Sequence, residues 1–200
     1  VCHDLIEKYA FGILISHIDG VPYATHLPFL LDRDGGGNGT LLGHMALANP
    51  HWRAFGDGAA DSLVIFQGPH GYVSPRWYVN GPVVPSWNYV VVHAYGAPKP
   101  IGDPDAIEQM LVRLTAREEA GAQQPWCMDS VDEKFLRGMK RGIAAFEIPL
   151  ARLEGKWKLS QNRAYADREK VIAALRESGA PDSAALADLM AAEAGKNRDR

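Results

Sequence analysis

"FGILISHIDGVPYATHLPFLLD", residues 11–32, reads as two β-forming runs on either side of Asp19-Gly20. An Asp-Gly pair between apolar alternations signals a hairpin, because a type I′ turn needs positive φ at both central residues. In the second run Tyr23, Thr25, Leu27, Phe29 and Leu31 share one face, and Ala24, His26, Pro28 and Leu30 share the other. An antiparallel start of this kind sets the expectation for the rest of the chain.

Outward from the hairpin, "RDGGGNG" (33–39) is a flexible loop leading to a strand at "TLLGHMA" (40–46). Asn49 followed by Pro50 predicts a capped short helix reaching about Phe55. "SLVIFQGPHGYVSP" (62–75) and "SWNYVVVHAYGAP" (86–98) are rich in β-branched and aromatic residues and read as strands. Asp103-Pro104 opens a helix with Ile107, Met110, Leu111 and Leu114 at i, i+3, i+4 and i+7. A second helix spans roughly 131–142, "AAFEIPLARLEG" (144–155) is the last strand, and helices at 166–178 and 182–194 follow. Six strands, mostly hairpin-linked, with helices inserted and appended, predict an α+β fold. An antiparallel barrel removes the exposed sheet edges economically. Residues 1–163 are expected to form one domain, with 164–200 its helical extension. His3 to Tyr9 reads as a helix already under way, so further chain before Val1 is expected.

Composition narrows the partners. A chain of 200 residues with 46% hydrophobic and 22% charged side chains can build a substantial core. The net charge of −3, from 21 basic and 24 acidic residues, argues against a dedicated nucleic-acid face. Cys2 and Cys127 lack C-x-x-C spacing, which predicts reduced thiols in a cytoplasmic protein and no zinc knuckle. No apolar run approaches the ~18 residues of a membrane span.

Familiar catalytic motifs are missing. There is no G-x-S-x-G, no Walker A, no H-E-x-x-H and no G-x-G-x-x-G after a strand. The histidines are scattered without helical ligand spacing, so no metal site is predicted, and no catalytic residue can be assigned. Tyr72, Trp77, Tyr78, Trp87 and Tyr89 either line a planar ligand site or pack as β-formers at an interface. The stretch "EGKWKLSQNR" (154–163) combines Lys156, Lys158 and Arg163 with Trp157, Gln161 and Asn162. It can hold an anion, stack on a ring and hydrogen-bond its edge, or it can be a solvated strand exit.

Taken together, "ATHLPFLLD", "LLGHMALANPHW", "LVIFQGPHGYVSPRWY", "VVPSWNYVVVHAYG" and "FEIPLARLEGKWKLSQNR" resemble the PaiB-like FMN-binding proteins of the split-barrel flavoprotein class, relatives of the pyridoxamine-phosphate oxidases. The resemblance implies a six-stranded split β-barrel and a homodimer with FMN in a cleft to which both subunits contribute. It places Thr25, His26 and Leu27 along the flavin, and Gly43, His44, Met45 and Ala46 close to its ring or ribityl chain, with Asn49 and Trp52 nearby. Trp157, Lys158, Gln161 and Arg163 would close the site. The family usually carries Arg or Lys within the segment here written Ala46-Leu47-Ala48-Asn49, and a longer loop than Val79-Asn80-Gly81-Pro82. By resemblance the role is that of a negative transcriptional regulator. A small FMN-dependent oxidoreductase or flavin reductase is the alternative, and a haem-binding split barrel a third.

Overall fold

A computed structural model describes residues 1–79 and 81–196, so that Asn80 of the short loop lies outside the described residues. In chain order the elements are α1 (Cys2–Lys8), β1 (Phe11–Ile18), β2 (Val21–Pro28), β3 (Leu30–Asp32), β4 (Thr40–Ala46), β5 (Ser62–Val73), β6 (Ser86–Gly96) and β7 (Lys99–Pro100). There follow α2 (Pro104–Glu119), α3 (Glu133–Lys140), β8 (Ile143–Pro149), β9 (Arg152–Lys158), α4 (Tyr165–Glu177) and α5 (Ser183–Lys196). One sheet runs β2-β1-β5-β6-β9 and the other β3-β4-β8-β7.

The described residues therefore hold nine strands in two sheets rather than the six expected. The extra three have physical causes. The run 21–32 breaks just past Pro28: the Phe29 amide still donates to Ala10 O at 2.9 Å, in register with the β1–β2 pairs, and is the last bond on that side. The chain then changes sheets, and Leu30–Asp32 pair with β4. The run 144–155 breaks at Leu150-Ala151 into β8 and β9, and Lys99–Pro100 adds a short rung against β8. The hairpin itself forms as expected, with Asp19 at φ 53° and Gly20 at φ 78°.

Two compact units divide the chain: residues 1–66 with 93–154, and residues 67–92 with 155–200. In the first, Leu14, Phe29, Leu41, Val64, Phe66, Phe146 and Ile148 are fully buried. Phe29 meets Phe66 and Phe146 edge-on, with centroids at 5.6 and 6.2 Å, the geometry the ring quadrupoles favour. Gly43 on β4 faces this core, and a Cβ there would lie 2.9 Å from Phe146 Cζ. α2 begins at the Asp103 cap and buries Met110 and Leu114.

The second unit buries Val171, Ile172 and Leu175 of α4 and Leu186, Ala187 and Met190 of α5. Those helices pack on each other and on the segment 67–92. Gly71 lets Leu186 approach, since a Cβ there would stand 3.0 Å from Leu186 Cδ2. Asp167 takes the Val79 amide at 2.8 Å, and Asn88 donates to Ser160 Oγ at 2.9 Å. No helix among the described residues is long and apolar enough to cross a membrane.

Candidate functional site

Strand alternation sorts the residues expected along the flavin. On β2, Thr25 is half-buried and Leu27 buried, while His26 between them is exposed and lies 6.4 Å from the Phe11 ring. On β4, Gly43 and Met45 are buried, Ala46 is exposed, and His44 is half-buried on the opposite face to Gly43. On each strand alternate side chains thus face opposite ways, which leaves the backbone of 43–46, the part expected near the flavin, as the element those four residues share. The glycine at 43 is accounted for by Phe146.

What the fold brings together is Thr25 with Asn49, whose Nδ2 donates to Thr25 Oγ1 at 3.1 Å across 24 residues of sequence. Asn49 also caps the short 3₁₀ turn Pro50–Ala54 by accepting the His51 amide at 3.0 Å. The turn carries His51 into the interior, fully buried. Its Nδ1 lies 2.8 Å from Thr25 Oγ1 and its Nε2 2.8 Å from Ser16 Oγ, which lies 2.6 Å from Ser62 Oγ. Tyr23 closes edge-on over the imidazole, with centroids 5.1 Å apart. His51, Ser16 and Ser62 carry no sequence signal of their own. Only the Asn49-Pro50 cap, which fixes where His51 points, could have found this network.

His44 lies beside a different feature. It lines a cleft of about 230 Å³ with Leu111, Trp126, Met128, Met139 and Ile143. Its Nδ1 is buried and has no hydrogen-bond partner. Trp52, from the same stretch of sequence, donates its Nε1–H to Leu47 O at 3.0 Å.

In the second unit, Lys158 donates to Ser86 Oγ at 2.8 Å, and the Arg163 guanidinium sits 5.2 Å from the Tyr78 ring centroid. Gln161 folds over its own turn, donating to Trp157 O at 2.6 Å and accepting from the Leu159 amide at 2.8 Å. Its amide is thus occupied by backbone, while Trp157 stays half-buried. Neither Lys158 nor Arg163 has a carboxylate at ion-pair distance among the described residues. Arg168, which the sequence did not flag, is buried with its Nε unpartnered. No cluster of three or more His, Cys, Asp or Glu able to hold a metal is present among the described residues.

Burial holds the pKa of both His44 and His51 below the ordinary histidine value of about 6.5. As pH falls through 6.5 the unfolded chain takes up protons that these folded residues refuse, so stability rises with pH between the lowered values and 6.5. Urea midpoints should therefore be lower at pH 5 than at pH 7.5, and His51→Gln should flatten the difference. An unchanged slope in that variant would exclude His51 as a contributor.

Residues 1–152 match the family described as "Putative FMN-binding domain". The chain is 34% identical over 187 residues to the protease synthase and sporulation protein PAI 2 of Bacillus subtilis, covering 94% of this chain and 88% of that one. It is 30% identical over 238 residues to an uncharacterized protein, AN0679, of Emericella nidulans, covering 100% of this chain and 94% of the other. Among solved structures, the flavocytochrome Anf3 from Azotobacter vinelandii is similar with a TM-score of 0.59 at 15% identity, over 78% of this chain. This chain spans only 65% of that flavocytochrome. The FAD and haem binding protein from Mycobacterium smegmatis is similar with a TM-score of 0.56 at 21% identity, over 78% of this chain and 68% of that one. At these identities the structural likeness is one of fold, an α+β fold with antiparallel sheets.

Proposed function

The chain belongs to the PaiB-like FMN-binding family, and from that premise we propose that it is an FMN-binding protein acting as a negative regulator of the PaiB type. The observation that carries the flavin site is the convergence of Thr25 and Asn49 at one hydrogen-bonded corner. The donor set fits the cofactor. In the first unit Thr25 and Asn49 supply hydrogen bonds for a heteroaromatic edge; in the second, taken by itself, Lys158 and Arg163 carry charge that suits a phosphate and Trp157 a ring that can stack. A homodimer with both subunits contributing to the flavin site is part of the proposal. When bound, FMN supplies hydride and one-electron chemistry, and the protein's part is to bind it and orient its ring.

The regulatory role draws support from the name of the Bacillus subtilis relative. A small FMN-dependent oxidoreductase is the second reading, favoured by the cleft at His44, where a small, largely apolar substrate would meet a few polar groups, His44, Thr115 and Lys140. Absorbance of the purified protein, alone and after FMN addition and dialysis, tests the premise: retained flavin bands near one equivalent are expected. FMN-dependent oxidation of NADH or NADPH would favour the enzyme, and salt-sensitive DNA retention the regulator. A protein that stays colourless with added FMN would overturn the flavin reading.

Leu47 offers a gain-of-function check. It is 42% exposed in the segment where the family usually places a cation. A charge-assisted hydrogen bond is worth roughly 1.5–3 kcal/mol, so Leu47→Lys should tighten FMN binding by about tenfold or more while leaving riboflavin binding unchanged. Equal effects on both ligands, or none, would place the phosphate elsewhere.

A further inference from the structure

Counting protons in the buried network gives Thr25 a fixed polarity. Three contacts link its members in a row: Ser62 to Ser16, Ser16 to His51 Nε2, and His51 Nδ1 to Thr25. Neutral His51 and the three hydroxyls bring four protons to these three contacts. One proton is therefore left over and must point out of the network. Asn49 adds only a donor, since its Nδ2–H is directed at Thr25 Oγ1.

The surplus proton has three places to sit. If His51 carries its proton on Nε2 and gives it to Ser16, Thr25 must donate to Nδ1. The surplus hydroxyl proton then falls on Ser16 or Ser62, which are 6% and 2% exposed and have no other partner among the described residues. A buried hydroxyl proton without an acceptor is the costly arrangement. If His51 instead carries its proton on Nδ1, every inner contact is made: Ser62 donates to Ser16, Ser16 to Nε2, and Nδ1–H to Thr25. Both lone pairs of Thr25 are then taken, by His51 and by Asn49, and its own O–H is left over at the half-buried end of the network.

We propose that the Ser62–Ser16–His51 chain, with Asn49, makes Thr25 a committed hydrogen-bond donor that selects for a bound group with an acceptor, a carbonyl oxygen or an unprotonated ring nitrogen. His51, Ser16 and Ser62 are positioning residues: they act through Thr25 and touch no ligand. A ligand edge offering only N–H or O–H groups meets a hydroxyl whose lone pairs are both occupied. The ligand identity rests on the flavin reading above, since oxidised FMN carries such acceptors, whereas the polarity of Thr25 rests on the network alone.

The first measurement is nitrogen NMR of the whole chain labelled with ¹⁵N-histidine at pH 7.5, with His51→Gln used to assign the His51 signals. The expected result is a protonated Nδ1 and a bare Nε2 in the wild-type protein. A proton on Nε2 would overturn the proposal whatever the protein binds. The second is FMN titration of Thr25→Val and Thr25→Ser. Valine should weaken binding at least tenfold, and serine, which keeps the hydroxyl, should stay within about threefold of wild type. Wild-type affinity in the valine variant would overturn the proposal at the flavin. Should the wild-type protein bind no FMN at all, the flavin reading falls, and the tautomer of His51 still decides the polarity of Thr25.

Discussion

Gly96→Ala is expected to cost about 3 kcal/mol or more of stability, toward the upper end of what overpacking a single site does. Gly96 ends β6, and a Cβ there would stand 2.2 Å from the carbonyl oxygen of Pro149 and 2.8 Å from Ile148 Cγ2. The first of these neighbours is backbone, which cannot rotate away as a side chain would. It is also tied in place, because the Ala151 amide donates to Tyr95 O at 2.9 Å. Relief would require β6 and the β8–β9 corner to part. Against a typical domain stability of about 5–15 kcal/mol, such a loss would be plain in a urea midpoint. Gly102→Ala is the matched control: nothing lies within 4 Å of its Cβ position, so the change should stay within about 1 kcal/mol. Equal midpoints for the two variants would refute the close approach at Gly96.

That contact also shows where sequence stops informing. The hairpin at Asp19-Gly20, the Asn49 and Asp103 caps and the period of α2 are local matters, decided by turn chemistry and side-chain spacing, and they stand where the sequence puts them. The breaks at Phe29 and at Leu150-Ala151 are not local. Each occurs where the chain leaves one sheet for the other, and the apolar residues on either side look like an uninterrupted strand. The same limit governs the candidate site. Thr25 and Asn49 were legible through the family resemblance, and the fold joins them. His26 and Gln161 came from the same resemblance, and what sequence could not give is their setting: His26 is exposed on β2, and the Gln161 amide bonds the backbone of its own turn. His51 was one histidine among seven. Its importance is a product of burial and of two serines, on β1 and β5, that no sequence spacing connects to it.

His51→Leu is expected to be the other large effect, and one that reaches the ligand. The imidazole is fully buried and spends both nitrogens on hydroxyls, so a leucine of similar bulk fills the space but satisfies neither. A buried polar group that loses its partner costs about 1–3 kcal/mol, and buried Ser16 with half-buried Thr25, each losing one of two partners, puts the loss at roughly 1–3 kcal/mol. Ser16 retains Ser62 and Thr25 retains Asn49, which keeps the loss short of unfolding a domain of ordinary stability. The Asn49 cap on the 3₁₀ turn should survive, because it holds the His51 backbone amide and not the ring. The turn should thus stay formed while Thr25 becomes free to rotate. FMN should then bind more weakly in the folded variant at temperatures well below its midpoint, and the fall in stability between pH 7.5 and pH 5 should shrink, since one of the two buried imidazoles is gone. Chemical denaturation at both pH values, paired with FMN titration at low temperature, separates the two roles. A stability loss with unaltered FMN affinity would make His51 a packing residue alone, and a loss under about 1 kcal/mol would mean that the buried hydroxyls do not depend on it.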